Sequence, residues 1–355
     1  MATASDYVDW RGDLSFEVSP VNEVDEFIFA CIGKPDFTGI VPPDDCSVSL
    51  ASAVNAYFAI HGDESLGLVA STQILPVLRK LAVSERYRNI RLSGFVNKVI
   101  PSLTEQFSAL TVHSPDGINY VSFRGTDDTL IAWKENCELA VREYVPAQRD
   151  ALAYLEWAAD VYEGPIVVCG HSKGGNLAMY AACMAPTYVQ DRIIEVYNYD
   201  GPGFMPEFLE TGGFARMESR IVTMVPYKSI VGMLLTQVGR LVVIQSESSG
   251  VSGHDGFTWD VDRSGFIHCE ELSNTSRIFG AAIDEALADR DIDERRELIE
   301  EIFDVLGSTG AFTLTDFSEQ SLRQTMELAK NFAHASELRS FLFSMIGKSI
   351  KTAMT

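Results

Sequence analysis

The sequence has few basic residues for its length. Its 355 residues include 28 Lys and Arg against 50 Asp and Glu, which gives a formal net charge of −22. Binding to nucleic acid or to an anionic membrane surface depends on clustered Lys and Arg side chains, and the sequence has no such cluster. We therefore expect no nucleic-acid partner.

The sequence also lacks a long apolar segment. The longest candidate, residues 230–244, contains two glycines together with Thr236, Gln237 and Arg240, so it is too short and too polar to span a bilayer. The first residues lack the basic start and the apolar run of a secretion signal. These features predict a cytoplasmic protein without stable membrane insertion.

Paired cysteines are missing as well. A chain of this length buries a core without disulfides. The sequence contains no C-x-x-C pair, the pattern that would indicate a metal or redox site. We expect reduced core thiols in a cytoplasmic protein. The six cysteines are Cys31, Cys46, Cys137, Cys169, Cys183 and Cys269.

Three compositional zones divide the chain. Residues 1–105 carry short helical patterns between turn-rich pieces and predict a helical lead-in that packs on the core. Residues 106–271 alternate β-branched runs with helical stretches, which is typical of an α/β protein with a mostly parallel sheet and helices on both faces. Residues 272–355 predict a C-terminal helical extension.

Five short apolar runs in the central zone are predicted strands, because buried parallel strands are apolar on both faces. They are Asn119–Phe123, Ile166–Cys169, Val196–Tyr199, Ile221–Val225 and Leu241–Gln245. We expect the first run to pair with Ala109–His113 through the turn at residues 114–117.

Helical patterns are predicted on both sides of this zone. In the lead-in they cover residues 24–32, 52–60 and 72–81. In the extension, apolar stripes comprise Leu298, Ile302, Val305 and Leu306, then Leu338, Phe341, Leu342, Met345 and Ile346. Residues 284–304 hold ten acidic residues against three arginines, and a solvated helix surface is favoured over a partner-binding face.

The clearest chemical signal is a serine between two glycines. Gly170-x-Ser172-x-Gly174 follows an apolar run and precedes a stretch of small helical residues, which is the context of a nucleophile elbow rather than of a structural Gly-Ser turn. Both glycines are explained by sterics, because the tight turn brings neighbouring backbone close. The positive end of the following helix favours an oxyanion, to which the backbone N–H of Lys173 is a predicted donor.

A serine nucleophile needs a base, and the sequence contains six histidines. On such scaffolds the histidine follows the serine, on a loop after the last core strand. His254 in the glycine-rich segment 248–256 is the predicted base, with His268 as the alternative. His171 is expected to pack or hydrogen-bond beneath the serine. Solvated or core positions are expected for His61, His113 and His334.

Asp200 is the predicted acid that orients the histidine. It ends the run Val196–Tyr199, so its carboxylate would emerge at the carboxyl edge of the sheet. The more usual position is the end of the next strand, but residues 224–229 contain no carboxylate. A capping or turn role for Asp200 is the alternative. Asp255 is too close to the histidine in sequence, and Asp260 is a distant option.

A second oxyanion donor is expected from the loop after Asn119–Phe123. Thr126 offers a backbone N–H and a hydroxyl there. Asp127 or Asp128 is expected to cap a helix that starts near Thr129.

These motifs together resemble a known family. Phe123-Arg124-Gly125-Thr126 followed by Trp133, and the run from Gly170 to Ala178, resemble the class 3 (fungal-type) lipases of the α/β-hydrolase superfamily and, more closely, the bacterial Mbeg-like proteins. The segments 197–204 and 225–235 and the pair His254-Asp255 are similar to theirs too. The resemblance covers approximately residues 20–265.

The resemblance implies an α/β-hydrolase fold and roles for four residues. It implies Ser172 as nucleophile, His254 as base, and the N–H groups of Thr126 and Lys173 as oxyanion hole. Class 3 lipases carry the acid after the strand corresponding to Ile221–Val225, where this chain has none. Asp200 therefore stays an inference from position.

The expected activity is that of a serine hydrolase acting on carboxylic esters with an apolar acyl group, without a metal or organic cofactor. The apolar segment 229–235 is expected to form a substrate wall, and the negative charge disfavours anionic substrates. The alternative is a catalytically silent scaffold that binds a small lipid or a protein partner through its terminal helices. Fold alone leaves the substrate open, and the sequence leaves the oligomeric state open.

Overall fold

One mixed sheet of nine strands lies at the centre of the described part of the chain. The computed structural model describes residues 1–67, 70–248, 252–307, 312–313 and 315–316, with the side chains of residues 284, 286–288 and 307 left out. The strands are β1 (Val48–Ser49), β2 (Arg91–Ile100), β3 (Glu105–His113), β4 (Asn119–Phe123), β5 (Ile166–His171), β6 (Ile193–Tyr199), β7 (Ile221–Pro226), β8 (Arg240–Ile244) and β9 (His268–Cys269).

The strands lie in the sheet in the same order as in the chain. Strands β4 to β8 are parallel, whereas β1 to β4 and the pair β8–β9 are antiparallel. All five predicted strands are present, and the predicted pairing of β4 with β3 through the turn at residues 114–117 is confirmed. The predicted α/β architecture is confirmed.

Eleven helices surround this sheet in the described residues. They are α1 (Ala4–Arg11), α2 (Glu23–Cys31), α3 (Leu50–His61), α4 (Ile74–Val83), α5 (Leu130–Glu138), α6 (Pro146–Val161), α7 (Lys173–Met184), α8 (Thr187–Gln190), α9 (Gly212–Met217), α10 (Asn274–Ala288) and α11 (Ile292–Gly307). The helical patterns at residues 24–32, 52–60 and 72–81 correspond to α2, α3 and α4.

The crossover helices cover one face of the sheet. Because parallel crossovers are right-handed, strands added in one direction keep their connecting helices on the same side. Helices α6, α7 and α9 accordingly share one buried core with residues such as Ile166 and Val168 of β5. This sequential order leaves the opposite face of the sheet without crossover helices.

The lead-in helices cover that opposite face. Residues of α1 to α4 share a second core with Val167 and Cys169 of β5, the neighbours of the residues in the first core. A buried ion pair fixes α2 there: Asp25 accepts a 2.8 Å hydrogen bond from Arg86 Nε, and both side chains are fully buried. The lead-in therefore completes the layered fold.

Strand β2 is the main element that the sequence analysis missed. It lies inside the zone predicted to be helical, pairs with β3 along most of its length and carries an irregularity between Ser93 and Val96. Gly94 has a φ of +66° there, which interrupts the apolar alternation that identifies a strand. The division into three zones at residues 105 and 271 stays a prediction.

The C-terminal extension packs against two separate parts of the chain. A Cβ added to Gly280 of α10 would lie 3.2 Å from the Cβ of Met233, and Lys134 of α5 pairs with Glu300 of α11 at 2.7 Å. In the predicted stripe of α11, Leu298 and Val305 are buried. The stripe from Leu338 to Ile346 and the residue His334 lie outside the described residues.

Two further expectations concern the cysteines, which were predicted to be reduced core thiols, and the absence of stable membrane insertion. All six cysteines are free; Cys31, Cys169 and Cys183 are buried, but Cys46 is exposed, so the expectation of core thiols is wrong for that residue. None of the described helices combines the length and the apolar character that crossing a bilayer requires.

Candidate active site

Ser172 lies at a sharp turn between β5 and α7. Its backbone has φ 60° and ψ −133°, a conformation that is strained for a residue with a side chain. Its N–H donates to the carbonyl of Tyr199 on the neighbouring strand at 2.9 Å, and the residue is partly exposed. The strand before it and the helix after it hold this serine in the conformation of a nucleophile elbow.

The glycines on each side of Ser172 have no room for side chains. A Cβ on Gly170 would lie 2.2 Å from the carbonyl atoms of Gly174, and a Cβ on Gly174 would lie 2.1 Å from the carbonyl oxygen of Phe123. Backbone atoms at such distances have no flexible end that can move aside. The steric reason expected from the sequence therefore holds in the structure.

The loop after β4 passes directly over the elbow. A Cβ on Gly125 would lie 2.6 Å from the carbonyl oxygen of His171 and 3.1 Å from the Cβ of Ser172. Thr126 follows, and its hydroxyl accepts a hydrogen bond from the side-chain amide of Asn136 at 2.5 Å. Among the described residues, no acceptor engages the backbone N–H of Thr126 or of Lys173.

The cap of helix α5 differs from the expectation that Asp127 or Asp128 supplies it. The hydroxyl of Thr129 accepts from the N–H of Ala132 at 3.2 Å, so Thr129 is the cap. Asp127 accepts from the N–H and the hydroxyl of Thr129, and Asp128 accepts from the N–H of Thr315 at 3.0 Å. The expectation was wrong because Asp127 supports the capping residue and Asp128 faces the C-terminal segment.

The side chain of Lys173 is fully buried, a feature the sequence analysis did not address. Its Nζ lies 2.5 Å from Oε2 of Glu135 and 2.6 Å from the carbonyl oxygen of Gln106. Burial lowers the pKa of Lys173, and the charge of Glu135 opposes that shift. This buried ion pair joins the first residue of α7 to α5 and β3, beneath the loop that carries Thr126.

Asp200 directly follows β6 and is completely buried. Its Oδ2 lies 2.7 Å from Nδ1 of His254, and its Oδ1 accepts hydrogen bonds from the Ser229 hydroxyl at 2.5 Å and from the Gly232 N–H at 3.1 Å. Its backbone has a φ of +50°. The carboxylate is therefore oriented by three donors from two loops, the one between β7 and β8 and the one after β8.

Ser229 lies just after β7, near the position where the resemblance places the acid of class 3 lipases. Ser229 is not an acid, but its hydroxyl donates a hydrogen bond to the carboxylate of Asp200. Gly232, in the apolar segment expected to form a substrate wall, is a second donor to the same oxygen. The sequence analysis missed both roles, because a serine or a backbone N–H alone gives no sequence signal.

His254 is held through its backbone as well as through its ring. Its carbonyl oxygen lies 2.7 Å from Nε2 of His171, and the preceding carbonyl, of Gly253, accepts from the indole N–H of Trp259 at 3.0 Å. The rings of His171 and His254 have centroids 4.7 Å apart. His254 therefore lies beside the residue that immediately precedes Ser172.

The described hydrogen bonds include none between the Ser172 hydroxyl and the ring of His254. Bonds of this type are often long in an unliganded site and shorten when a substrate is bound. With Nδ1 directed at Asp200, the other ring nitrogen of His254 is the one without a partner among the described residues. The side chain of His254 is 19% exposed, whereas that of Asp200 is fully buried.

The other histidines in the described part of the chain have other partners. His268 is exposed and lies 3.0 Å from a carboxylate oxygen of Glu23 on α2, and His113 bonds to Asn119 and Ser93. His61 packs against the ring of Tyr57. As expected, His171 is buried and hydrogen-bonded.

Asp255 and Asp260, the two alternatives to Asp200 as the acid, do not contact the imidazole of His254 in the described hydrogen bonds. Asp255 accepts a hydrogen bond from the backbone N–H of Phe257 at 3.1 Å. Asp260 is buried, and burial raises its pKa.

A group of three residues elsewhere brings possible metal ligands together. Asp44, Asp45 and Cys46 lie on the surface with their ligand atoms within 4.8 Å of one another. All three are exposed, and exposed acidic groups are common without an ion. The elbow region instead combines a hydroxyl, an imidazole and a carboxylate, a set suited to acyl transfer.

Comparison with known proteins gives one family and several distant structures. The model of the family described as Mbeg1-like matches residues 81–304, more than half of the chain. The match begins later than the resemblance seen in the sequence and extends through most of α11. No curated protein matches the sequence.

Three solved structures illustrate the distant similarity. The first, described as a triacylglycerol lipase with a serine protease triad as its catalytic centre, is 12% identical, with a TM-score of 0.36 over 63% of this chain and 80% of that chain. A mutant form of MDLA from Penicillium cyclopium is 13% identical, with a TM-score of 0.36 and coverage of 72% and 90%. A lipase from Rhizopus microsporus var. chinensis is 15% identical, with a TM-score of 0.31 and coverage of 72% and 84%.

Proposed function

We propose that this chain, which belongs to the Mbeg1-like family, is a serine hydrolase that cleaves carboxylic esters through an acyl-enzyme. The observation that carries the proposal is the 2.7 Å contact between the buried carboxylate of Asp200 and Nδ1 of His254, beside a serine held in an elbow conformation. A carboxylate accepts a hydrogen bond, so Nδ1 carries the hydrogen and Nε2 is the basic nitrogen.

In the first half of the reaction, Nε2 of His254 takes the proton of the Ser172 hydroxyl while Oγ bonds to the ester carbonyl carbon. The carbonyl oxygen becomes an oxyanion, which the backbone N–H groups of Thr126 and Lys173 stabilise. The bond to the alcohol oxygen then breaks, and that oxygen takes the proton from His254. The alcohol leaves, and the acyl group stays on Ser172.

In the second half, a water molecule is the nucleophile. His254 takes a proton from the water while the water oxygen bonds to the acyl carbon. The bond between the acyl carbon and Oγ of Ser172 then breaks, and His254 gives the proton to Oγ. The carboxylic acid is released. Asp200 stabilises the imidazolium of His254 in both halves and is not protonated itself.

The proposed substrates are small uncharged esters with an apolar acyl group. The segment from Ser229 to Leu235 contains Ile, Val, Met and two Leu residues, lies next to the acid Asp200 and offers apolar side chains near the site. A net charge of −22 opposes the approach of anionic substrates. A cytoplasmic location, which the scattered unpaired thiols favour, belongs to the same proposal, and fractionation of cells tests it.

A fluorophosphonate probe tests the proposal, because it reacts with serines activated by a base. We expect the wild-type protein to be labelled, the Ser172→Ala variant to be unlabelled, and the variant of an exposed serine, Ser102→Ala, to be labelled like wild type. If the chain is instead a catalytically silent scaffold, the folded wild-type protein is not labelled. Labelling that persists in Ser172→Ala would also contradict the proposal.

A further inference from the structure

His171 precedes the elbow serine, and both nitrogens of its buried ring have polar neighbours. Nε2 lies 2.7 Å from the carbonyl oxygen of His254, and Nδ1 lies 3.5 Å from Nζ of Lys34. A carbonyl oxygen only accepts, so Nε2 carries the hydrogen and donates it. Nδ1 is then the acceptor and faces the ammonium group of Lys34, which only donates.

The surroundings of the His171 ring favour its neutral form. Burial lowers its pKa well below the usual value, the charges of Lys34 and His254 lower it further, and the hydrogen bond to the His254 carbonyl oxygen opposes this shift. These two groups come from different elements: Lys34 follows α2, and His254 follows β8. Phe27 of α2 makes an edge contact with the ring at a centroid distance of 6.4 Å.

We propose that His171 is a positioning residue for His254: its Nε2–H fixes the backbone of the base through the carbonyl oxygen, and its neutral ring packs against the imidazole that takes the proton. This inference rests on the proposed function. It gives the histidine of the Gly170–Gly174 segment a role in the reaction without contact to the substrate.

Two carbonyls in succession show how the loop is secured. The indole N–H of Trp259 holds the carbonyl of Gly253, and His171 holds the carbonyl of His254. Asp200 orients the imidazole but does not contact the backbone of that residue in the described hydrogen bonds. If the donor of His171 is removed, the ring of His254 still has its contact with Asp200, but its carbonyl oxygen loses the hydrogen bond from His171.

A matched pair of variants tests this role. The amide nitrogen of glutamine takes the place of Nε2, whereas that of asparagine takes the place of Nδ1. We expect His171→Gln to retain kcat for an aryl ester within about threefold, and His171→Asn to lower kcat by about 10- to 100-fold with little change in KM. Equal activity of His171→Asn and wild type would overturn the inference.

Two measurements extend the test to a chain without turnover. Hydrogen exchange at residues 252–258 is expected to be faster in His171→Asn than in His171→Gln, because only the asparagine variant lacks the donor to the loop. Nitrogen-15 spectra of the histidine rings are expected to show His171 neutral with hydrogen on Nε2. A protonated His171, or identical exchange in both variants, would overturn the inference even if the probe had already excluded the hydrolase.

Discussion

At the scale of single residues, the candidate site depends on how Asp200 is surrounded. The side chain is fully buried, and its two oxygens receive hydrogen bonds from His254, Ser229 and Gly232. A buried carboxylate without donors would be costly, and three donors offset that cost. Ser229 and Gly232 both donate to Oδ1, so Oδ2 is the oxygen that faces Nδ1 of His254. This contact fixes the tautomer of the ring.

Replacement of Asp200 by asparagine tests the role of the carboxylate. We expect Asp200→Asn to lower kcat by about 1,000-fold or more, because an amide can present its N–H₂ to Nδ1 and stabilise the wrong tautomer of His254. Turnover of an aryl ester checks this. Asp255→Asn is the control, because that carboxylate accepts from a backbone N–H and not from the imidazole. Comparable losses in both variants would remove Asp200 from the proposed mechanism.

Part of this residue-scale arrangement is readable in the sequence. The position of Asp200 at the end of an apolar run, and of His254 in a glycine-rich loop, suffices to nominate both residues. The serine that supports Asp200 is not readable, because its role arises only when β6 and β7 are neighbours in the sheet. The buried pair of Lys173 and Glu135 is hidden for the same reason, since 38 positions separate the two residues.

At the scale of elements, the contact between β4, β5 and α7 shapes the elbow. Helix α7 begins directly after Ser172, and its second residue, Gly174, lies against the end of β4. A side chain there would have to push strand and helix apart. The sequence pattern predicts the strand, the turn and the helix correctly, since each is a local feature of composition. The irregular strand β2 was missed because Gly94 disrupts its alternation.

Substitution of Gly174 by alanine tests this packing. Alanine normally favours a helix over glycine, but the new Cβ would lie 2.1 Å from a backbone oxygen of Phe123. We expect Gly174→Ala to lower the free energy of unfolding by about 2 kcal/mol and to reduce probe labelling. Gly212→Ala, where the nearest atom lies 3.8 Å away, is expected to be neutral in urea unfolding. A stabilised Gly174→Ala would contradict the close approach.

At the scale of the whole molecule, the two faces of the sheet are covered by different parts of the chain. Crossover helices cover one face, and the lead-in helices α1 to α4 cover the other. Glu26 of α2 lies in this second interface, near Glu195 and Tyr197 of β6, and the Tyr197 hydroxyl donates to Glu195 at 2.7 Å. Burial raises the pKa of Glu26 to about 7, Glu195 adds to the rise, and Tyr197 opposes it.

The raised pKa makes the lead-in interface dependent on pH. Because the pKa of Glu26 is higher in the folded chain than in the unfolded one, its contribution is fully present below about pH 4.5 and is lost as the pH rises through 7. In the wild type we expect the free energy of unfolding, measured with urea, to fall by up to roughly 3 kcal/mol between pH 5 and 8. We expect this decrease to be absent in Glu26→Gln. Glu17→Gln, at an exposed position, should keep the wild-type pH dependence. An unchanged dependence in Glu26→Gln would contradict this prediction.

The sequential strand order has a consequence for synthesis on the ribosome. Each strand pairs with the strand that immediately precedes it in the chain, so every newly emerged strand meets a partner that has already left the exit tunnel. The lead-in helices emerge before most of the sheet that they cover, and their apolar faces stay exposed until the later strands are made. We therefore expect nascent chains that end before β6 to engage chaperones, and longer ones to be released from them.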